Sequence, residues 1–396
     1  MKSHEVRPYM DSDASDVATL FNESNDAWPG GFTQGKNLTD DDVRKWMEHM
    51  EKVEVYVAVA NGHARGYCSL VRSITEEKDT AYVGLLGATP KYHGRGLGRD
   101  LLRACVRKAI DEDIKRVDLH TWAGNLKAVP LYKKTGFFWV PQTSVFMQNF
   151  IPLIVNTPFA RDFFDDEDWY HIHDRKLELI EDFEEWEGMK VYTYRFKRDN
   201  RFLEVKINSY ARQIAFFEND KIRIALKPPK ERPLRGRSMV ASLEINKKDG
   251  VDESLTIEGY GKNGITCAMR EQLVIGNSDS IEIPFFIEQR TRKGDDYNPY
   301  PAIGASVAID GKSIDLAVGL DSKSAVDISV SPQFPIFIPN RKSSVKIELA
   351  NNSEKPLKGK LAIPILDKLE SGETNSSFEI PSDGKKSVDF YLSIQE

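Results

Sequence analysis

One glycine-rich loop between a predicted strand and a predicted helix has the residue types that bind phosphate groups. The loop consists of His93, Gly94, Arg95, Gly96, Leu97 and Gly98, and Arg99 follows it. Free N–H groups and the dipole at the start of a helix both favour an anion. Because glycine lacks a Cβ atom, the three glycines allow a pyrophosphate to approach the main chain, and the two arginines add positive charge.

The position of this loop along the chain separates it from a dinucleotide-binding turn. A dinucleotide-binding fold places its glycine-rich turn in the first unit of a repeating parallel βαβ series, with an acidic residue at the end of the next strand. Here the loop follows two predicted helices and a predicted hairpin, so we do not favour that fold. A tight structural turn stays open as an explanation of the loop taken alone.

Two motifs together resemble the GNAT superfamily of acyl-CoA-dependent N-acetyltransferases. The stretch LLGATPKYHGRGLGRDLL is similar to the central motif of that family, Gln/Arg-x-x-Gly-x-Gly/Ala after a strand and a proline, with His93 at the Gln/Arg position. The block NLKAVPLYKKTGF, from Asn125 to Phe137, is similar to the family segment NxxAxxLYxxxGF. The resemblance covers about residues 3–150.

This resemblance implies acetyl-CoA as the co-substrate, with no metal. The main chain at Leu86 and Ala88 would pair with the pantetheine arm as an added strand does, and the glycine loop would hold the pyrophosphate. The implied cofactor-binding residues are Leu86, Gly87, Ala88, His93, Gly94, Arg95, Gly96, Leu97, Gly98, Arg99, Asn125 and Tyr132.

The same resemblance implies a catalytic role for Tyr132, whose phenol would protonate or hydrogen-bond the departing thiolate. The base that takes the proton of the amine is not fixed, because the strand that precedes the loop, 81–88, contains no carboxylate. His120 at the end of the next strand has a suitable pKa type, although a lone histidine there is also common as a structural residue. Glu23 and Asp26 are further candidates, and solvent could also remove the proton.

The function that follows is transfer of an acetyl group to a primary amine of a small molecule or a protein. The alternative is a non-catalytic acyl-CoA-binding sensor or scaffold that presents its β-rich extension to a partner, and the missing carboxylate motivates it. The stretch from Trp28 to Phe32 lines the acceptor pocket or covers the core. Nothing in the sequence identifies the acceptor.

The pattern of the first 150 residues predicts an α/β layer of the order ααβββαβαβ. Apolar spacing indicates a helix over 13–23 with Asp13 as its N-cap, and Thr39 begins a second helix with a capping-box pattern. A hairpin over 53–71 turns at Asn61 and Gly62. The fold class is therefore α/β, a GNAT-like mixed sheet with flanking helices, followed by all-β sandwich domains.

The chain divides into four predicted parts. Residues 1–150 form the GNAT acetyltransferase domain, and 151–188 form an acidic helical connector. Residues 161–188 carry 3 Lys and Arg against 12 Asp and Glu, and apolar spacing over 165–187 indicates one amphipathic helix that ends at Gly188. Short alternating strands follow, so we predict a β-sandwich over 189–324 and a small Ig-like sandwich over 325–396.

Composition narrows the class of protein further. A net charge of −6 without a basic cluster argues against nucleic acid, and no apolar run suggests a membrane span or an export signal. We therefore expect a cytoplasmic protein. Cys68, Cys105 and Cys267 are expected to be reduced, and the alternating histidines at 171 and 173 are not expected to bind a metal. The β domains could mediate homodimerisation.

Overall fold

A computed structural model describes residues 4–25, 31–33, 35–72, 77–248, 253–276, 278–291, 293–295, 298–333, 336, 338, 340–363, 369–371 and 375–394. The elements of its first part are β1 (Glu5–Pro8), α1 (Ala14–Glu23), α2 (Asp40–His49), β2 (Lys52–Ala60), β3 (His63–Arg72), β4 (Thr80–Ala88), α3 (Leu97–Asp111), β5 (Arg116–His120), α4 (Ala128–Lys134), β6 (Phe137–Trp139) and β7 (Phe146–Asn149). The strands form one sheet in the order β1-β2-β3-β4-β5-β7-β6. Only the β4–β5 pair in this sheet is parallel.

The predicted helices and hairpin of this part are confirmed. Asn61 and Gly62 both have positive φ, and the Thr39 hydroxyl accepts the Asp42 N–H in a capping box. Asp13 is the N-cap residue of α1, as expected, but its side chain makes no cap hydrogen bond to the helix. Its carboxylate instead accepts two bonds of 2.8 Å from the Arg7 guanidinium and one from the Met10 N–H. Strand β1, which carries Arg7, was not predicted.

The single amphipathic helix predicted over 165–187 is wrong. The connector contains only short helices before it becomes extended, and its elements are α5 (Ile151–Asn156), α6 (Arg161–Phe164), α7 (Trp169–Ile172), β8 (His173–Asp174) and β9 (Glu184–Trp186). Glu187 and Gly188, both with positive φ, form a two-residue turn in which Trp186 pairs with Met189. A glycine that looked like the end of a helix is therefore part of a hairpin turn.

The rest of the chain consists of β-strands, as predicted. They are β10 (Met189–Arg198), β11 (Arg201–Asn208), β12 (Gln213–Asn219), β13 (Ile222–Lys227), β14 (Ser238–Lys247), β15 (Glu253–Lys262), β16 (Ile265–Thr266), β17 (Arg270–Ile275), β18 (Ser278–Ile287), β19 (Ala302–Ile309), β20 (Lys312–Gly319), β21 (Val326–Ser331), β22 (Ser343–Asn351), β23 (Leu357–Ala362), β24 (Leu369–Ser371), β25 (Asn375–Ile380) and β26 (Lys385–Ile394). The fold class, an α/β unit followed by β-sheets, is confirmed. No helix in the ranges given above is long and apolar enough to span a membrane.

One hydrophobic core runs through the first and middle parts of the molecule. It includes buried side chains of α3, of β6 and β7, and of the two sheets β16-β18-β14-β13-β12-β11-β10-β8 and β17-β15-β19-β20. A separate small core lies in the last part, around Val345, Leu349 and Phe390. The predicted boundaries at 150 and 188 therefore do not coincide with a break in the core.

Tyr194 of β10 joins the first part to the middle part through the main chain. Its hydroxyl accepts the Phe150 N–H at 2.8 Å and donates to the Gly136 carbonyl at 2.9 Å. Tyr192, two residues away, is similarly buried, but its hydroxyl has no hydrogen-bond partner among the described residues. The two tyrosines are thus similarly buried, but only the Tyr194 hydroxyl forms hydrogen bonds that join the two parts.

Replacing Tyr194 by phenylalanine should lower the free energy of unfolding by about 1–3 kcal/mol, because a buried N–H and a buried carbonyl lose their partner. Tyr192→Phe is the matched control, and its expected effect is near zero or slightly stabilising. Urea unfolding of both variants followed by fluorescence measures the difference. Equal losses of stability would contradict the assigned role of the Tyr194 hydroxyl.

A buried network of charges makes a second link between these parts. Arg116 of β5 binds Asp118 through two hydrogen bonds of 2.8 and 2.9 Å, and it binds Glu77 at 2.6 Å. Arg212, in the turn between β11 and β12, binds the same Glu77 oxygen at 2.6 Å. Burial opposes ionisation of Glu77, but the two guanidinium groups hold its pKa below its usual value. The network anchors the strand that carries His120.

Candidate active site

The parallel strands β4 and β5 separate after a short stretch of pairing. Their paired residues end at Tyr82 and Asp118, while β4 continues to Ala88 alongside β3. Gly84 is an extra residue in β4, where the register with β3 shifts, and such a bulge bends a strand. The edge of β4 from Val83 to Ala88 thus faces a gap where a ligand can lie against the main chain.

The glycine loop follows β4 and begins α3. Gly94 and Gly96 have φ of 76° and 87°, and Gly96 is the N-cap residue of α3. A Cβ atom on Gly94 would meet nothing within 4 Å, so space lies beside the loop. The first N–H groups of α3 are directed out of the helix, as anion binding requires.

The side chains around the glycines brace the loop. His93 Nε2 is 2.8 Å from the Ala88 carbonyl oxygen, which ties the start of the loop to the end of β4. Arg95 lies over the ring of Tyr92, and Arg99 forms hydrogen bonds with Asp100. His93 thus holds the shape of the loop at the position where the resembling motif has Gln or Arg.

Helix α4 forms the opposite wall and carries Tyr132. The side chain of Asn125 is used at the start of this helix, where its amide donates to the Thr121 hydroxyl and its oxygen accepts the Ala128 N–H. Tyr132 is 8% exposed and packs edge-on against Phe137. Burial raises the pKa of Tyr132 well above that of a free tyrosine, so its phenol is protonated at neutral pH.

A single cleft of about 1080 Å³ brings these elements together. It contains the β4 edge, the glycine loop, the start of α4 and the end of β5, and all its described lining residues lie between Glu23 and Tyr132. The β-rich parts contribute none of these residues. The cleft therefore belongs to the first part of the chain, and its walls combine a glycine-rich loop at a helix start, a strand edge and a protonated phenol.

A comparison with protein-family models identifies this part of the chain. Residues 17–137 match the acetyltransferase (GNAT) family. The N-terminal part is a GNAT domain. The matched segment contains both motifs on which the resemblance was based, and it contains all the described lining residues of the cleft.

Several solved structures are similar to the GNAT domain. One is yncA from Salmonella typhimurium with its cofactor acetyl-CoA, at 20% identity over 37% of this chain and 92% of that chain, with a TM-score of 0.33. Another is ribosomal-protein-alanine N-acetyltransferase from Brucella melitensis, at 19% identity over 37% and 99%, with a TM-score of 0.32. None of the curated proteins compared with the chain matches it.

His120 lies at the end of β5 on the wall of the GNAT cleft. Its Nδ1 atom is 3.2 Å from the Tyr82 hydroxyl, and its ring stacks on Phe146 with a centroid distance of 4.5 Å. Burial lowers the pKa of His120 below its usual value, and the nearby Asp118 opposes this effect. The imidazole is therefore neutral at pH 7 and able to accept a proton.

Glu23, the other candidate base that the structure describes, is exposed at the end of α1 and also lines the cleft. Asp26 and residues 28–30 lie outside the described residues, while Phe32 stacks on Phe21 in the core under α1. Sequence reasoning missed Tyr82 and Trp122, which lines the cleft beside His120. Tyr82 lies on β4, the strand in which only a carboxylate was sought.

The conformation of Gly94 gives a test of the loop. Alanine at this positive φ should cost about 1 kcal/mol of backbone strain and shift the loop, so we expect about tenfold weaker binding of acetyl-CoA by calorimetry. Gly62→Ala is the matched control, since Gly62 has a φ of 79° and a Cβ atom there would also meet nothing within 4 Å. Both variants should lose similar stability, and equal affinities for acetyl-CoA would contradict a role of the loop in binding.

Proposed function

We propose that the chain is an N-acetyltransferase that moves the acetyl group of acetyl-CoA to a primary amine by direct attack. The observation that carries this proposal is the convergence of the glycine loop, the β4 edge, Tyr132 and His120 on one cleft. In the proposed complex the loop binds the pyrophosphate, and the main chain of Leu86 and Ala88 pairs with the pantetheine arm. We propose that the reaction takes place in the cytoplasm.

The chemistry begins with a neutral amine, because an ammonium group has no lone pair for attack. His120 accepts the proton that the amine must lose, directly or through a water molecule. The amine nitrogen then forms a bond to the thioester carbonyl carbon. As the tetrahedral intermediate collapses, the carbon–sulfur bond breaks, the nitrogen loses its second proton to water, and water returns a proton to the phenolate if Tyr132 has given up its own. Tyr132 donates its hydroxyl proton, or a hydrogen bond, to the departing thiolate of CoA.

The geometry supports His120 over Glu23 as the base. The imidazole is held by contacts from two neighbouring strands, and its lowered pKa makes it neutral at the working pH. A base is most effective when it is unprotonated at the working pH and fixed in position. Both residues are exposed, so the support for His120 comes from the contacts that fix the position of its ring.

The test is an assay of thiol release from acetyl-CoA with a panel of primary amines, in which mass spectrometry identifies the product. We expect release of CoA only when an amine is present, together with an acetylated amine. Tight binding of acetyl-CoA by calorimetry with no transfer to any amine would overturn the proposal and favour an acyl-CoA sensor that displays its β-rich parts to a partner.

A further inference from the structure

Two hydrogen-bond contacts connect Tyr82 of β4 to His120 of β5. The hydroxyl of Tyr82 accepts the main-chain N–H of His120 at 3.2 Å, and the same oxygen is 3.2 Å from Nδ1 of the imidazole. This contact lies where β4 and β5 separate, because Tyr82 is the last residue of β4 that pairs with β5. Tyr82 therefore contacts the candidate base at the point where the two strands separate.

The imidazole of His120 is also restrained by rings. It stacks on Phe146 of β7 at an angle of 21° between the ring planes, and the centroid of the Tyr82 ring is 5.8 Å away. With the ring plane set by Phe146 and Nδ1 hydrogen-bonded to Tyr82, the orientation of the imidazole is defined. Such restraint is what a proton acceptor of fixed position needs.

We infer that Tyr82 is a positioning residue that keeps the Nδ1 atom of His120 protonated, so that Nε2 accepts the proton of the amine. A phenol oxygen has acceptor capacity for two N–H groups, and here the main-chain N–H and the Nδ1 atom of one residue converge on it. In the opposite arrangement the Tyr82 O–H would donate to Nδ1, which would place the ring proton on Nε2. This inference rests on the proposed function of His120 as the base.

The two arrangements predict opposite shifts of the pKa of His120 in a Tyr82→Phe variant. The contacts of the ring include the Tyr82 hydroxyl from β4 and uncharged Phe146 from β7, and Asp118 of the same strand is bound by Arg116. A bond from Nδ1–H to an oxygen is stronger when the imidazole is charged. Loss of that bond should therefore lower the pKa of His120 by about half a unit to one unit.

The experiment measures the ring nitrogens directly in the full chain without an acceptor. Protein with isotope-labelled histidine is titrated by nitrogen NMR, and the His120 signals are identified by their loss in His120→Gln. We expect the wild-type signals to show protonated Nδ1 and unprotonated Nε2. In Tyr82→Phe we expect a mixture of tautomers and a lower pKa, while unchanged signals of the other histidines report an intact fold.

Kinetics complete the test. The acid limb of kcat/KM for Tyr82→Phe should move to lower pH with the NMR titration, and kcat should fall up to about tenfold while the KM for acetyl-CoA is unchanged. An unchanged His120 titration, or a shift to higher pH, overturns the inference even if acetyl transfer is normal. Absence of acetyl transfer in the wild type overturns the proposed function and leaves the NMR result to decide the role of Tyr82.

Discussion

Replacing Lys133 by alanine is expected to lower the free energy of unfolding by about 3–5 kcal/mol, the usual loss when one partner of a buried ion pair is removed. Lys133 lies on α4 next to Tyr132 and is completely buried. Its Nζ atom donates to the carbonyl oxygens of Glu178 and Ile180 and to the Asp182 carboxylate, at 2.9 Å from Oδ2. Alanine would remove the Nζ donor from each of these oxygens, and the two carbonyl groups and the carboxylate would lose that contact.

The adjacent residue provides the control for this prediction. Lys134 is on the same helix but exposed, so Lys134→Ala removes an equal charge without breaking a buried contact. We expect that variant to stay within about 0.5 kcal/mol of the wild type. Thermal unfolding of both variants measures the difference, and a comparable small change in each would show that the Lys133 contacts do not stabilise the fold.

The contacts of Lys133 explain how the connector is held against the GNAT domain. Asp182 also accepts the Trp139 N–H at 2.9 Å, and the Glu181 carboxylate accepts the Gln142 N–H at 2.6 Å. Arg175 donates to the Phe137 carbonyl oxygen and lies over the ring of Phe138. Hydrogen bonds thus fix the acidic segment to the region where α4 is followed by β6. Asp182 and Glu181 each bind their own partners in this region.

These contacts between the connector and the GNAT domain show why the conformation of the connector could not be predicted from the sequence. The spacing of Ile180, Phe183 and Trp186 is helical, but Ile180 is 59% exposed and Phe183 is 41% exposed. Trp186 of β9 packs on Phe216 of β12, which belongs to the same sheet. The apolar residues therefore do not form one buried face. The Ile180 carbonyl oxygen binds Lys133, and the Trp186 ring packs on β12, so both partners are far away in sequence. A local pattern therefore contains no information about these contacts.

Sequence patterns predicted the structure correctly where an element is stabilised by contacts between residues close in sequence. The capping box at Thr39 and the turn at Asn61 and Gly62 each depend on contacts within a few residues, and both are confirmed. The cleft residues on the glycine loop could be found because the main-chain geometry at a helix start favours glycine, whereas those on α4 were found through the resemblance of the block from Asn125 to Phe137 to a GNAT segment. Tyr82 could not, since its role depends on which atom of β5 lies opposite it.

The last prediction concerns the leaving group, and its expected effect on the rate is the largest. Tyr132→Phe should lower kcat by about a hundredfold, the lower end of the usual contribution of a general acid, because the thiolate of CoA would leave without a proton donor. The affinity for acetyl-CoA should change less than tenfold, since the hydroxyl makes at most one neutral hydrogen bond in the ground state. Stopped-flow measurement of thiol release and calorimetry separate the two effects.

The pH dependence provides a second test of the same phenol. An acid works only while it is protonated, and burial raises the pKa of Tyr132, so the wild-type rate should not fall as the pH rises to about 9.5. Tyr192→Phe, which removes a buried hydroxyl outside the cleft, should leave kcat unchanged. If Tyr132→Phe retained the wild-type kcat, the thiolate would have to leave unassisted or take its proton from water, and the buried phenol would serve only to pack α4 against the cleft.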